Sequence, residues 1–208
     1  MEETMKTPRL LISFVLDNSA QVSGEQLGEL MGGFRAFAEK TEGNPSLEWE
    51  LLTFDAFAPM VAKSFDAKEI APVCADRFPL LGRAASAAAE RLATRIAALR
   101  AEGAEVFRPW IFLLSGGFTM DDMEKVAERL DGMEKAGEVL YLPFKLCERL
   151  LTDRLQCLDR KKHMIEICDG HIPDFFAFLD RMIEQRAALA PEAGMKFAKT
   201  DFEGWAVL

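Results

Sequence analysis

Histidine and cysteine are scarce in this chain, at 2 and 4 among 208 residues. The cysteines (Cys74, Cys147, Cys157 and Cys168) form no C-x-x-C pair, so no zinc ribbon or dithiol motif is encoded. A domain of this length closes its core without disulfide staples, and the four are expected as reduced, mostly buried thiols. Long apolar runs are also missing. Residues 10–16 form a run that Ser13 interrupts, too short for a bilayer span and without the cleavage site of a secretory signal, which sets the expectation of a cytoplasmic protein. Basic charge is in deficit: 25 Lys and Arg against 34 Asp and Glu leave a net charge of -9, a field that repels phosphate backbones and anionic lipid surfaces. Arg160-Lys161-Lys162 is the one basic cluster and is too small to reverse that, so neither nucleic acid nor membrane is an expected partner. Neither G-x-G-x-x-G nor G-x-x-x-x-G-K-[ST] follows a predicted strand, which speaks against a nucleotide binder.

With 50% hydrophobic and 28% charged residues, the composition is that of a globular protein, and the length suits one large α/β domain. Residues 10–16 read as a strand buried on both faces. Leu27, Leu30, Met31, Phe34, Phe37 and Ala38 then share one face of a helix that Ser23 caps and Gly43-Asn44-Pro45 ends. Residues 47–54 and 57–64 are two strands with so short a connection that they must be antiparallel. A long alanine-rich helix follows over residues 80–101, closing at Gly103. Residues 110–114 are another buried strand, stopped by Ser115-Gly116-Gly117, after which Thr119 is expected to cap a helix with Asp121, Asp122 and Glu124 in its first turn. Further elements are a strand at 139–142, a short helix at 146–155, a weak strand at 163–168 and a helix at 173–188. The fold class is therefore α/β: a doubly wound, mostly parallel six-stranded sheet with one antiparallel edge strand and helices on both faces. The domain spans residues 1–189. The tail, 190–208, has little periodicity but holds Phe197, Phe202, Trp205, Val207 and Leu208; it either packs back on the domain, the favoured reading, or offers a hydrophobic hook to a partner.

In such sheets ligands gather at the carboxyl ends of the strands, near a switch in strand order. Two loops of this chain lie there. Asp17-Asn18-Ser19-Ala20-Gln21-Val22-Ser23-Gly24, between the first strand and its helix, resembles the first metal-ligand loop of von Willebrand factor type A domains, with the bacterial tellurium-resistance TerY-like branch as the nearest match. The antiparallel pair around Asp55, the Pro79-Leu80-Leu81-Gly82 turn, the strand from Pro109 to Leu114 and the tail segment Asp201-Phe202-Glu203-Gly204-Trp205 carry the same likeness over nearly the whole chain. The resemblance implies a docking or scaffold component of a stress-response or tellurite-resistance system, with another protein as partner. In the family the metal site reads D-x-S-x-S after the first strand, a Thr before the long helix and an Asp after the fourth strand, oxygen donors suited to Mg²⁺. Asp17 and Ser19 match. Gln21 stands at the second Ser, Arg77-Phe78-Pro79 replaces the Thr turn, and Ser115-Gly116-Gly117 replaces Thr-Asp-Gly.

With one carboxylate left and Arg77 or Arg83 opposing a cation, no metal and no cofactor is expected, the weighed exception being weak Mg²⁺ binding with Ser115, Asp121 or Asp122 as substitute donors. Asp17 then accepts N-H bonds from its own loop and the following helix turn. The leading reading is a non-enzymatic protein-interaction module with a degenerate metal site, its partner-binding edge formed by Asp17, Ser19, Gln21, Ser115 and Asp121. The alternative is a metal-assisted hydrolase of a small anionic substrate using the same edge. Ser115 lacks a G-x-S-x-G elbow, so it has no catalytic role in the leading reading. His163, Cys168 and His171 match no structural zinc spacing and read as a buried thiol beside two partly exposed imidazoles. The charged run from Glu124 to Lys135 reads as a solvated helix face.

Overall fold

A computed structural model of the chain describes residues 8–22, 24–55, 59–62, 65, 79–146, 154–162, 164–190, 195 and 197–207. Its elements in chain order are β1 (Leu10–Asp17), α1 (Gly24–Thr41), β2 (Leu47–Phe54), β3 (Met60–Val61), α2 (Leu81–Ala101), β4 (Trp110–Ser115), α3 (Glu124–Lys135), β5 (Leu140–Lys145), α4 (Gln156–Lys161), β6 (Ile165–Ile167), α5 (Ile172–Ala187) and β7 (Ala206–Val207). They form one sheet in the order β3-β2-β1-β4-β5-β6-β7. The five inner strands are parallel, and β3 and β7 run antiparallel at the two edges. Chain order reverses between β1 and β4, which places the topological switch point where Asp17 and Ser115 end their strands.

Side-chain alternation divides the core into two unlike layers. Leu10, Ile12, Phe14 and Leu16 of β1 join Trp110, Phe112 and Leu114 of β4 against α1 and α5, where Phe14 stacks on Phe112 with ring centroids 5.3 Å apart and meets Phe34 edge-on at 5.0 Å. On the opposite face Leu11, Val15, Ile111 and Leu113 meet Ala84, Ala85, Ala88 and Ala89 of α2. Alanines with no side-chain rotamers to fix let this helix approach the sheet closely at little entropic cost. Ser13, buried on that alanine side, donates to Glu50 at 3.2 Å, and Arg91 of α2 pairs with the same carboxylate. Pro143 is tolerated inside β5 because of the alternation of ladder bonds: Leu140 donates toward β4, to the Pro109 carbonyl, so the N-H that Pro143 lacks would face β6. There β6 begins pairing only at Phe144.

Several expectations need correction. Among the described residues the sheet has seven strands, because Ala206–Val207 of the tail pairs with β6 as a second antiparallel edge, and Phe202 and Trp205 are buried. A two-residue strand carries no readable alternation, so the sequence offered no sign of it. Of the helix expected over 146–155, residues 147–153 lie outside the described residues, Arg154 and Leu155 form a turn, and a helix follows at Gln156–Lys161. Of the strand expected at 57–64, Met60–Val61 pairs with β2, while 57, 58, 63 and 64 lie outside. Thr119 does not cap α3, which starts at Glu124 behind Met123. Cys157 is a buried free thiol and Cys168 a half-buried one; Cys74, Cys147, Ser23, Arg77, Phe78 and His163 lie outside the described residues.

Candidate functional site

The carboxyl end of β1 is sealed by its own loop. Asp17 is fully buried, and its Oδ1 accepts the Ser19 N-H at 2.9 Å, an Asx-type turn that reverses the chain as it leaves the sheet. Ser19 Oγ accepts the Gln21 N-H at 3.3 Å, and Val22 N donates to the Ser19 carbonyl at 3.2 Å. The second carboxylate oxygen crosses the switch point: Asp17 Oδ2 accepts the Gly116 N-H at 3.0 Å. One side chain thus holds together two loops that are 99 residues apart. The two loops lie so close there that a Cβ on Gly116 would fall 2.9 Å from Gln21 Cβ and 3.3 Å from Asp17 Oδ2, which explains glycine at that position. Burial pushes the Asp17 carboxyl above its ordinary value; the bonds from Ser19 and Gly116 draw it back, and the nearby Asp55 carboxylate pushes it up further.

Ser115, equally buried, accepts the Gly117 N-H at 3.2 Å through Oγ, and its carbonyl accepts Leu146 N at 2.8 Å. Among the described residues no imidazole or amine contacts that hydroxyl. Asp17, Ser19, Gln21 and Ser115 are therefore brought to one place by the ends of β1 and β4.

Asp121 is used elsewhere. Its Oδ2 accepts the Arg83 N-H of α2 at 2.8 Å, and Thr119 Oγ1 accepts the Leu81 N-H at 3.0 Å. The Thr119 hydroxyl also lies 2.5 Å from Asp121 Oδ1 and 3.1 Å from the Pro79 carbonyl, with a single hydrogen to give. Leu80, at the N-cap of α2, has no side chain able to cap, so the loop after β4 supplies both acceptors for the orphan donors of the first turn. Gly82 permits the approach: a Cβ there would stand 2.9 Å from Met123 Sδ and 3.0 Å from Asp121 Oδ2. Asp122 is likewise engaged, accepting the Glu124 N-H at the start of α3 at 3.0 Å. Gly116 and Thr119 are the two site residues that sequence reasoning missed. The T-x-D spacing next to a helix lacking its own cap was the available signal. His171 bonds Asp174 at 2.8 Å at the start of α5.

Around this sealed loop pair the surface is partly apolar. Met60 is 65% exposed, Val61 40% and Met120 43%. Met60 pairs with Thr53 near the carboxyl end of β2, and Met120 N donates to the Pro79 carbonyl at the mouth of α2. All three thus lie at the carboxyl edge.

No family model matches the sequence, and no curated protein matches it. Among solved structures, the TFIIH p34 N-terminal domain aligns with a TM-score of 0.57 at 10% identity, over 85% of this chain and 98% of that one. The manganese-loaded TRAP protein of Plasmodium vivax aligns with a TM-score of 0.44 at 10% identity, over 75% of this chain and 63% of that one. At such identity the first of these likenesses speaks for architecture alone. The chain shares the doubly wound α/β architecture of the TFIIH p34 N-terminal domain, with its switch point at Asp17 and Ser115.

Proposed function

We propose that the chain is a non-enzymatic protein-interaction module in which the position that holds a cation in the family to which the sequence is similar has become an internal staple, and that its partner, another protein, docks on the carboxyl edge of the sheet. The observation that carries this reading is the use of Asp17. Both its oxygens accept backbone N-H groups, from Ser19 and Gly116, inside a fully desolvated site that disfavours its charged form. A hard divalent cation needs several ionised or strongly polar oxygens with room for its remaining waters. Here Ser19 and Ser115 point their oxygens at N-H donors of their own loops, and Asp121 and Asp122 serve helix starts. The exposed Met60, Val61 and Met120 supply the apolar part of a docking surface. By the resemblance of its loops and tail to the TerY-like branch, the module serves a stress-response or tellurite-resistance system of a bacterial cytoplasm.

The test is capture of a partner by the wild-type chain from the host, followed by binding of the purified partner to wild type and to a Met60→Asp, Met120→Asp variant. At least a tenfold loss in the variant is expected; unchanged affinity places the partner on another face. The metal-assisted hydrolase reading makes the opposite prediction in a phosphatase and esterase screen with added Mg²⁺ or Mn²⁺. No turnover is expected, and turnover lost on Asp17→Ala or Ser115→Ala overturns the non-enzymatic reading.

A further inference from the structure

The chain has ten methionines, and their placement divides them. Met1 and Met5 lie outside the described residues. Met31 and Met182 are buried in the layer against α1 and α5, and Met123 and Met164 in the layer against the alanines of α2. Met133 and Met195 are half-buried against the same two layers. Met60 and Met120 are the exposed methionines among the described residues, and both stand on the carboxyl edge of the sheet.

At both positions the main chain makes the structural bonds while the side chain stays out of the core. Met60 pairs with Thr53 of β2, and its carbonyl accepts the Thr53 hydroxyl at 3.4 Å. Met120 donates its N-H to the Pro79 carbonyl at 3.0 Å, and its own carbonyl accepts the Arg154 guanidinium. Neither side chain belongs to either core layer, so a change confined to the two thioethers breaks no packing. The other exposed large apolar side chains among the described residues are Val61, Leu189 and Val207, which peroxides do not attack. A methionine sulfur is different. It gives up two electrons as its S–O bond forms, the peroxide O–O bond breaks, and the reduced peroxide leaves as water or an alcohol. The sulfoxide is polar and a strong acceptor, and an apolar interface buries it only at a desolvation cost. The buried Cys157 thiol competes poorly for peroxide. Burial, and after it the Glu124 carboxylate, push it above its ordinary value, which keeps it from the thiolate form at neutral pH.

We propose that Met60 and Met120 form a peroxide-sensitive switch on the carboxyl edge: conversion of the two thioethers to sulfoxides leaves the fold intact and removes the apolar surface by which that edge docks. This regulation rests on the docking reading above.

The full chain is treated with hydrogen peroxide and mapped by peptide mass spectrometry, while retention on a phenyl matrix reads its surface apolarity and urea unfolding its stability. Met60 and Met120 are expected to gain oxygen at least about tenfold faster than Met31, Met123, Met164 and Met182, with the urea midpoint unchanged and retention reduced. Dithiothreitol, which reverses thiol oxidation, should leave that loss in place, and methionine sulfoxide reductase should restore it. In a Met60→Leu, Met120→Leu variant, peroxide is expected to leave retention at the variant's own starting value. Oxidation of the buried methionines at a comparable rate, unfolding of the product, unchanged retention, recovery under dithiothreitol, or an equal loss in the leucine variant each overturns the proposal. If the leucine variant fails to fold, the reductase arm decides alone. Affinity for the partner captured by the wild-type chain separates the switch from the docking reading, and the doubly oxidised chain is expected to bind it at least about tenfold more weakly. Wild-type affinity in Met60→Asp, Met120→Asp overturns both; a loss there, with full affinity in the oxidised chain, overturns the switch alone.

Discussion

Replacing Asp17 with alanine separates a structural staple from an emptied metal site. The substitution removes the acceptor of two buried N-H groups, on Ser19 and Gly116, and each donor left unsatisfied costs about 1–3 kcal/mol. Working against that is relief of a desolvated carboxylate that Asp55 repels. The hydrogen-bond loss is the larger, so a net destabilisation of about 1–4 kcal/mol is expected. At a urea m-value of about 2 kcal/mol/M this lowers the midpoint by roughly 0.5–2 M with the slope unchanged. The assay is urea unfolding in the presence of chelator, so that no ion contributes. Asp17→Asn keeps an acceptor for Ser19 but turns an amide N-H toward Gly116, and its loss is expected to be intermediate. If Asp17→Ala is as stable as wild type under chelator, or more stable, the staple is refuted, because that is how a metal ligand without its metal behaves: its removal relieves repulsion and breaks nothing.

Gly33→Ala would place a Cβ 2.0 Å from the Phe176 ring; despite a helix-propensity gain of about 1 kcal/mol, it is expected to destabilise by about 1–3 kcal/mol through displacement of a ring packed on Phe34 and Phe175. A double-mutant cycle with Phe176→Ala should recover most of that loss, and additive losses would refute the contact. Thr119→Val uncaps the first turn of α2 and should cost about 1 kcal/mol in thermal or urea unfolding; unchanged stability would refute the cap. Arg95, with help from Arg9, holds the Glu48 carboxyl below its ordinary value. Stability from this pair is therefore full above about pH 4.3, the unfolded value, and lost as pH falls through the folded one; Glu48→Gln should flatten that part of the profile. Asp17 has the opposite sign. Its folded pKa is raised, so its contribution is full below the unfolded value and declines as pH rises through the folded one, and Asp17→Asn should remove that slope.

Strands β1 and β4 were legible because each is a largely apolar run ending at turn residues, β2 by its partial alternation of apolar and polar residues, and the alanine-rich helix because its composition leaves few other uses. The second antiparallel edge was not legible: Ala206–Val207 contributes backbone pairing and little pattern. The site was readable to the extent that Asp17, Ser19, Gln21 and Ser115 flank two strand ends that parallel topology must bring together. The capping of α2 by Asp121 and Thr119 escaped because a cap is chosen by tertiary proximity. These residues precede α3 in sequence, yet they serve the first turn of α2, which began 38 residues earlier. Gly116 escaped because its contribution is a backbone N-H, which every residue but proline carries, and only the closeness of Gln21 shows why glycine is required.

The most direct measurement is a titration of Mn²⁺ into chelator-treated, dialysed protein, followed by the electron paramagnetic resonance signal of the free hexaaqua ion at neutral pH. The account predicts that this signal grows with added metal as it does in buffer, for wild type and Asp17→Ala alike, because Asp17 is already committed to Ser19 and Gly116. A stoichiometric loss of the free-ion signal with wild type, restored in Asp17→Ala, would contradict it.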